Sequence, residues 1–458
     1  CLPELRRAAR WREAGRGILL EQLTRQVRPD GVYFEQASYY QRYTADFYTH
    51  FMLLARAAGE ASRVFPDGGY YVMRDGWTND SNYMLLDCGP HGAMNGGHAH
   101  ADALSFTLAA RGRTLLVDPG TCTYTGSGEW RDHFRHTSAH NALVVDGKSS
   151  SVTAGTFSWE TSARCEAGEW LSRPRFDFFE GAHDGYRRLP DPVTHRRSVL
   201  FVKGDYFVIR DEADARARHR YGLRFHLAPG APPQVGSGHS AVRLLDPSAP
   251  GVELHARGGG GRWIEGLDWV APCYGSRVAA PVWTFEAEGE GPQDFVTVVL
   301  PRAAGAQEGA RVTSTKGVGA AHSLEVVAEG ARDVLVIGRA GRTVSAGQLT
   351  TDFAWAWARL GPDGRVAEAV LVGGGTRFRF GGRELLASPR PLRYAVARTV
   401  AGRLEFESEP EGSGGSGAAA GGDSVIVDGA LKRRDKLSKE GRGADAPTLE
   451  TTHPRHGL

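Results

Sequence analysis

The feature that most constrains the fold is a change of periodicity near Phe65. Before it, apolar residues recur at helical spacing, whereas after it short runs alternate between apolar and polar residues, as in Tyr70–Arg74 and Tyr83–Asp87. Short alternating runs separated by glycine-rich turns are typical of a large antiparallel β-sandwich. The sequence therefore predicts a mainly β protein with an α-helical segment at its N-terminus. The later predicted strands are Leu104–Leu108, Thr114–Val117, Ala142–Val145, Ser198–Val202, Tyr206–Arg210, Tyr221–Leu227, Phe295–Leu300 and Val334–Ile337.

Two amphipathic helices are predicted before residue 60, one ending near Val27 and one running from Phe47 to Ala58. The intervening Arg-Pro-Asp-Gly segment breaks the helical pattern. Two helices cannot cover their own apolar faces, and the chain begins with Cys1 inside the helical pattern. We therefore expect further helices upstream, and without them an exposed apolar patch.

The pattern divides the chain into four parts. Residues 1–62 are predicted to be helical, residues 63–340 to form the sandwich, and residues 341–410 to form a small further β region. A Gly/Ser/Ala-rich linker opens residues 411–458, which we expect to be a disordered tail.

Composition excludes several classes of function. The formal net charge of +2 over 458 residues gives no bulk attraction for nucleic acid or for a membrane surface. No apolar run approaches the ~18 residues that would span a bilayer. The five cysteines include no CxxC pair, so they indicate neither a zinc knuckle nor a disulfide framework.

Chemistry-bearing residues concentrate between Gly96 and Asn141. His98, His100 and Asp102 alternate with alanine, so an extended backbone would place all three side chains on one face. Apolar residues at positions 104, 106 and 108 continue this alternation as a stripe that faces the core. The pattern predicts a polar site on the end of a strand.

Two more clusters follow, and together the three carry a resemblance. Gly-His-x-His-x-Asp, then Leu-Leu-Val-Asp-Pro-Gly, then Ala-His-Asn resembles the heparinase II/III-like polysaccharide lyases, relatives of exolytic and oligo-alginate lyases. The resemblance implies an α/α toroid followed by an antiparallel β-sandwich, here without the upstream part of the toroid. It also implies β-elimination on a uronate-containing acidic polysaccharide or oligosaccharide, in the periplasm or outside a bacterial cell. The resemblance leaves open whether the chain forms a homodimer.

The resemblance further implies a zinc site formed by His100, Asp118 and His140. Two imidazoles and one carboxylate are a donor set that Zn²⁺ accepts. The residues alone leave two simpler interpretations. Asp-Pro-Gly is a common turn after a strand, and His140 would then be a hydrogen-bonded core histidine.

His98 is the histidine that the resemblance makes catalytic, as an acid or base near the scissile bond. The alternatives are a further metal ligand or a hydrogen-bonding neighbour. Asp102 would then orient an imidazole.

Tyr40 occupies the position of the catalytic tyrosine in a segment that resembles the family's Asp-Gly…Glu-x-Ser-x-x-Tyr-His. Gln41 and Ala37 replace the usual histidine and serine, so Tyr39 and Tyr43 remain alternatives, as does simple packing of these aromatic rings. A tyrosine with pKa ~10 is ionised in about one molecule per thousand at neutral pH.

Such a base requires nearby positive charge. The candidates are Arg42, Arg131, Arg135 and His136, although the segment at 131–137 could equally be a solvated loop. Tyr124 is a candidate sugar contact. The residue that neutralises the uronate carboxylate is expected upstream of Cys1.

Two other classes of function remain. The first is a non-catalytic β-sandwich that binds acidic glycans and contains a structural zinc. The second is a zinc hydrolase, for which the sequence offers no His-Glu-x-x-His motif.

Overall fold

A computed structural model describes residues 61–412 except positions 93, 231–233, 236–240, 307 and 320, together with strands at 425–427 and 430–432. The predicted N-terminal helices, including Tyr40 and Arg42, lie outside the described residues. Most of the predicted tail also lies outside them. Within the described part the molecule is built from antiparallel strands, which confirms the mainly β prediction.

The strands up to residue 302 are β1 (Arg63–Phe65), β2 (Tyr70–Arg74), β3 (Tyr83–Asp87), β4 (Phe106–Ala110), β5 (Arg113–Leu116), β6 (Leu143–Val145), β7 (Val152–Gly155), β8 (Ser158–Thr161), β9 (Cys165–Ser172), β10 (Phe176–His183), β11 (Thr194–Val202), β12 (Tyr206–Asp214), β13 (Arg218–His226), β14 (Gln234–Val235), β15 (Val242–Leu244), β16 (Gly251–Arg257), β17 (Arg262–Val270), β18 (Val278–Glu290) and β19 (Gln293–Arg302). Helix α1 (Gly128–Arg135) and a 3₁₀ turn (Thr137–Ala139) lie between β5 and β6.

The later strands are β20 (Arg311–Ser314), β21 (Gly317–Val318), β22 (His322–Ala328), β23 (Ala331–Ile337), β24 (Val344–Ala346), β25 (Leu349–Thr351), β26 (Trp355–Leu360), β27 (Val366–Phe380), β28 (Arg383–Val400), β29 (Arg403–Pro410), β30 (Val425–Val427) and β31 (Ala430–Lys432). All of them belong to one twelve-stranded sheet. That sheet takes in strands on both sides of residue 340, the boundary that the sequence suggested.

Three layers of sheet make up the described molecule. A five-stranded sheet (β1 to β5) and a four-stranded sheet (β17-β18-β13-β6) form the first layer, and the bridge between Leu116 and Leu227 joins them. An eight-stranded sheet (β14-β15-β16-β19-β12-β11-β10-β9) forms the middle layer. The twelve-stranded sheet forms the third, and β7 and β8 make a separate hairpin.

The central part of the middle sheet is buried on both faces. Along β11, Val199 and Phe201 pack toward the first layer, whereas Leu200 and Val202 pack toward the twelve-stranded sheet. This follows from the side-chain period of two in a strand, which sends alternate residues to opposite faces. The run is apolar because both faces are covered, as expected for a central strand.

A buried polar junction joins the middle and third layers. The Tyr206 hydroxyl donates to Asp333 Oδ2 at 2.8 Å and accepts from Trp357 Nε1 at 2.9 Å. Arg359 pairs with Asp333 from the exposed side. The junction satisfies groups that would otherwise be costly to bury.

No helix in the described ranges is long and apolar enough to cross a membrane.

His219, on β13, bridges two carboxylates that follow other elements. Its Nδ1 lies 2.7 Å from Asp146 Oδ2 and its Nε2 lies 3.0 Å from Asp191 Oδ2. Burial alone would lower the pKa of His219, but the hydrogen bonds to Asp146 and Asp191 raise it above its ordinary value. A raised folded-state pKa stabilises the fold fully below the unfolded value of about 6.5, and this stabilisation is lost as pH rises through the folded-state pKa.

We therefore expect His219→Gln to destabilise the protein more at pH 6 than at pH 9. The measurement is urea unfolding of both proteins at the two pH values. Asp191→Asn should also make the free energy of unfolding depend less on pH, because it removes one of the two charges that His219 faces. An equal loss of stability at both pH values would show that His219 acts only by packing.

Candidate functional site

The segment from His98 to Ser105 is a loop, not the first part of a strand as the alternation predicted. Strand β4 begins at Phe106, and Leu104 has φ of 60°, in the left-handed region that is uncommon for residues with a side chain. The amide of Ala101 donates to Arg135 O at 2.8 Å instead of to a neighbouring strand. The chain therefore turns between the polar residues and the strand. The predicted apolar stripe is confirmed, since Leu104, Phe106 and Leu108 are all buried.

Asn141 fastens the strand ends that surround this loop. Its Nδ2 donates to Phe106 O at 2.8 Å and to Val117 O at 2.9 Å, and its Oδ1 accepts from the His226 amide at 2.6 Å. The side chain is buried, so each of these bonds is protected from competition with water. Asn141 thus holds the ends of β4, β5 and β13 around its neighbour His140.

Three ligand-type residues converge here: His100, Asp102 and His140 each offer one atom within 4.8 Å of the others. Two of them are predicted zinc ligands. Asp102, which the sequence suggested as an orienting carboxylate, completes the group. The carboxylate of Asp118 lies 2.9 Å from His140 Nδ1, where it can fix the tautomer of that imidazole. Asp118 as a direct ligand stays a prediction.

The chemistry of this group fits a divalent cation. His140 Nε2 is buried and has no hydrogen-bond partner among the described residues, while Nδ1 is held by Asp118. That is the arrangement by which a protein presents one imidazole nitrogen to a metal. His100 Nε2 lies 3.2 Å from Thr121 Oγ1 and 3.4 Å from Arg131 Nη1.

The electrostatics of the group point the same way. Burial raises the pKa of Asp102, and burial together with the Asp102 charge raises the pKa of Asp87 well above its usual range. Burial also lowers the pKa of His100 well below its usual range. For Asp118, burial would raise the pKa, but the His140 imidazole lowers it to about 2. For His140, burial would lower the pKa, but the neighbouring Asp118 carboxylate raises it above its ordinary value. Closely spaced buried carboxylates are an environment that a bound cation would relieve.

His98 lies beside this group against aromatic rings. Its ring centroid is 5.2 Å from that of Tyr124 and 6.1 Å from that of Phe157. The Arg131 guanidinium lies 5.0 Å from the centre of the Tyr124 ring. The structure thus brings two predicted residues, His98 and Tyr124, into one aromatic cluster beside the candidate metal group.

Arg131 and Arg135 are buried, so they do not belong to a solvated loop. Arg131 donates to Gly97 O at 3.0 Å, and Arg135 donates to Thr156 O at 3.2 Å. Burial, followed by the charge of Arg135, lowers the pKa of Arg131 to about 10. Both side chains hold the backbone around the site in position. Their direct contact with a substrate stays a prediction.

The sequence analysis missed Arg197, which joins the two ligand-bearing loops. This buried side chain forms an ion pair with Asp211 at 2.8 Å. Its Nη1 also donates to Leu104 O at 2.7 Å and to Asn141 O at 2.8 Å. The signal that could have found it is an arginine at an inward position next to an apolar strand run, since such a charge requires a buried partner.

A chain of hydrogen bonds runs from His183 through His195 to Asp211, the partner of Arg197. His183 Nδ1 accepts from the Gly185 amide, so we assign its proton to Nε2, which donates to His195 Nδ1 at 3.0 Å. His195 Nε2 then donates to Asp211 Oδ1 at 2.7 Å. Burial would raise the pKa of Asp211, but the Arg197 charge and the His195 hydrogen bond hold it below its ordinary value. Asp211 is therefore an ionised carboxylate in the protein interior.

Comparisons with known proteins show the family of this chain. The model of the family described as heparinase II/III-like, C-terminal, matches residues 57–320, and that of the heparinase II/III N-terminus matches residues 1–87. The chain belongs to the heparinase II/III-like family. This finding confirms the resemblance carried by the three polar clusters.

Curated relatives of this heparinase II/III-like chain include two heparin-sulfate lyases. The one from Pedobacter heparinus is 24% identical over 262 residues, which cover 54% of this chain and 36% of the relative. The one from Bacteroides thetaiotaomicron is 31% identical over 188 residues, which cover 39% of this chain and 25% of the relative. The matched regions thus span about a third or less of these relatives.

Solved structures share the fold. Heparan sulfate lyase HepC from Pedobacter heparinus superposes with a TM-score of 0.57 at 20% identity, covering 73% of this chain and 63% of that one. A structure of heparinase III gives a TM-score of 0.50 at 21% identity, covering 60% of this chain and 42% of that one. At this level of identity the likeness concerns the fold.

We expect Arg197→Met to cost about 3–5 kcal/mol of unfolding free energy, because Asp211 would remain buried without its counter-ion. Chemical denaturation measures this loss. Arg196→Met is the matched control, because Arg196 is the neighbouring residue on β11 and forms a half-exposed pair with Glu180. Its cost should be about 1 kcal/mol or less. Equal losses of unfolding free energy in the two variants would show that the buried ion pair of Arg197 is not a main source of stability.

We expect purified protein to bind one Zn²⁺ ion and to lose thermal stability when a chelator removes it. His140→Ala should abolish binding and lower the melting temperature more than His98→Ala does. Asp102→Asn and Asp118→Asn should show by elemental analysis which carboxylate is a direct ligand. Full zinc content in His140→Ala would contradict the site.

Proposed function

We propose that this chain is part of a polysaccharide lyase that cleaves a uronate-containing acidic polysaccharide by β-elimination. The observation that carries the proposal is the link between His98 and the candidate metal group. The Arg131 guanidinium lies 3.4 Å from His100 Nε2 and 5.0 Å from the centre of the Tyr124 ring, against which His98 packs. Membership of the heparinase II/III-like family supports it. The chain spans only part of its relatives' length, so activity is proposed for the protein that contains it.

β-Elimination removes the C5 proton of the uronate and breaks the bond between C4 and its oxygen. His98 is a described group that can exchange a proton with the sugar, because its side chain is only half-buried. Its ring orientation is set by packing against Tyr124 and Phe157. The second proton-transfer group is Tyr40, whose role rests on the sequence motif.

Other residues of the site would supply the positive charge that the reaction needs. Arg131 and Arg135 place positive charge beside the site, which favours the anionic form of a tyrosine base and the negative charge that develops on the substrate. A bound zinc would supply further positive charge and hold His100, Asp102 and His140 in fixed orientations. Asp118 would keep His140 in the required tautomer.

The substrate class follows from the relatives' names and from the chemistry of the reaction. Because two relatives are named heparin-sulfate lyases, heparan sulfate is the first polymer to test, followed by hyaluronan and alginate. We place the protein in the periplasm or outside the cell, where such polymers are met. The alternative is a β-sandwich that binds acidic glycans without cleaving them.

We expect ultraviolet absorbance of an unsaturated product to rise when the protein is incubated with one member of this panel. His98→Ala should lower kcat by about 10²–10⁴, the usual contribution of one acid–base group. Tyr40→Phe should lower turnover by roughly a hundredfold or more and leave substrate binding nearly intact.

Tyr39→Phe and Tyr43→Phe serve as matched controls, and normal turnover in both would single out Tyr40. Normal turnover in Tyr40→Phe would instead transfer the role to one of them. Tight binding of a polymer without product from the unaltered protein would favour the glycan-binding alternative.

A further inference from the structure

An exposed arginine stacks on two tryptophans near the candidate site. The guanidinium carbon of Arg277 lies 3.9 Å from the ring centre of Trp130 and 5.2 Å from that of Trp269. The two indole rings meet edge to face, with centroids 5.7 Å apart. We name these three residues the Arg277 patch. Both tryptophans are half-buried, so their packing fixes the position of the charged group.

The loop that carries Arg277 is fastened to the loop that follows Asp118. The amide of Ala271 donates to Pro119 O at 2.7 Å, and the amide of Gly275 donates to Cys122 O at 2.8 Å. The Tyr274 hydroxyl accepts from the Tyr124 amide at 3.2 Å. Residues 271–277 therefore keep a fixed relation to the loop that lies beside His98.

A continuous aromatic surface joins His98 to this loop. The Tyr124 ring is 5.2 Å from His98 on one side and 5.7 Å from Tyr274 on the other. Arg277 follows Tyr274 by three residues, and Trp130 precedes Arg131, which contacts the Tyr124 ring. Arg277 thus lies on the same loop as Tyr274 and Trp130 on the same helix as Arg131, close in sequence to two side chains that contact the Tyr124 ring.

Arg277 has no carboxylate partner in the described part of the chain. Of the acids near the patch in sequence, Asp268 binds His133 at 2.7 Å and Asp132 binds Arg135, whereas the exposed Glu129 forms no ion pair with Arg277 in the described part of the chain. A guanidinium that stacks on rings keeps its in-plane N–H donors available. Such a fork fits the two oxygens of a carboxylate or a sulfate.

We propose that the Arg277 patch is a subsite for an anionic group on a sugar residue remote from the bond that is cleaved. The shared chemistry is a carboxylate or sulfate oxygen pair bound by Arg277, with the indole rings supplying apolar contact area. The rings hold the guanidinium in place before binding, which reduces the entropy lost when the ligand is fixed. This inference rests on the proposed function for its substrate class.

The test measures binding of size-defined hexasaccharides to the full chain by calorimetry, in a His98→Ala background so that cleavage does not interfere. One hexasaccharide is sulfated, from heparan sulfate, and the other has the same length with uronates but no sulfate. Arg277→Ala should weaken binding about 10- to 100-fold, as expected for loss of a hydrogen-bonded charge. Arg277→Lys should recover part of the affinity, because it keeps the charge and loses the planar fork.

Arg365→Ala is the matched control, because Arg365 is an exposed arginine in the turn between β26 and β27 of the twelve-stranded sheet, and its loss should leave affinity unchanged. A loss confined to the sulfated hexasaccharide identifies sulfate as the bound group, and a loss with both identifies the carboxylate. Either outcome supports the subsite. Equal affinity of Arg277→Ala and its parent for both ligands would overturn it.

Activity of the chain with His98 intact separates this proposal from the lyase proposal. Cleavage together with unchanged affinity in Arg277→Ala would overturn the subsite and leave the lyase standing. Weakened binding in Arg277→Ala without any cleavage would support the subsite and overturn the lyase. Absence of binding to either hexasaccharide by the unaltered chain would overturn both.

Discussion

The ion pair between Arg197 and Asp211 is the interaction on which the rest of the site depends. It lies between two central strands of the middle sheet, and both side chains are almost completely buried. Burying two charges costs free energy that their attraction only partly offsets. The arrangement is stable because Arg197 also donates to two backbone carbonyls and Asp211 accepts from His195.

The two carbonyls that Arg197 binds connect the ion pair to the candidate metal ligands. Leu104 follows Asp102 by two residues, and Asn141 directly follows His140. One guanidinium therefore sets the separation of the two loops that carry the candidate metal ligands. The Asn141 side chain also holds elements around the site together, because it hydrogen-bonds to the ends of β4, β5 and β13. The site is rigid because rigid strands, and not the loops themselves, determine where the ligands lie.

The sequence predicted the strand framework well where the alternation was clean. The bounds of β2 and β3 match the prediction residue for residue, and β12 begins at Tyr206 as expected. It failed at His98–Asp102, because alternation with alanine indicates a strand only if the backbone has a strand partner, and here Ala101 bonds to Arg135. The roles of Asp102 and Asp118 were also beyond its reach, since they depend on which loop folds closer to His140. The resemblance named His100 and His140, which the structure brings together with Asp102, and only the three-dimensional arrangement shows which residues touch.

The central strands of the middle sheet are covered on both faces, and this limits how the protein can be divided. Its strands contribute alternate residues to two separate cores, so the first layer, whose loops bear the site, and the twelve-stranded sheet both pack on the same middle strands. Removal of the chain from Arg311 onward would leave Leu200, Val208 and Val298 without their covering layer. Apolar surface of that extent promotes association. Exchanges between relatives should therefore keep the middle and outer sheets together and confine variation to the loops that border the site.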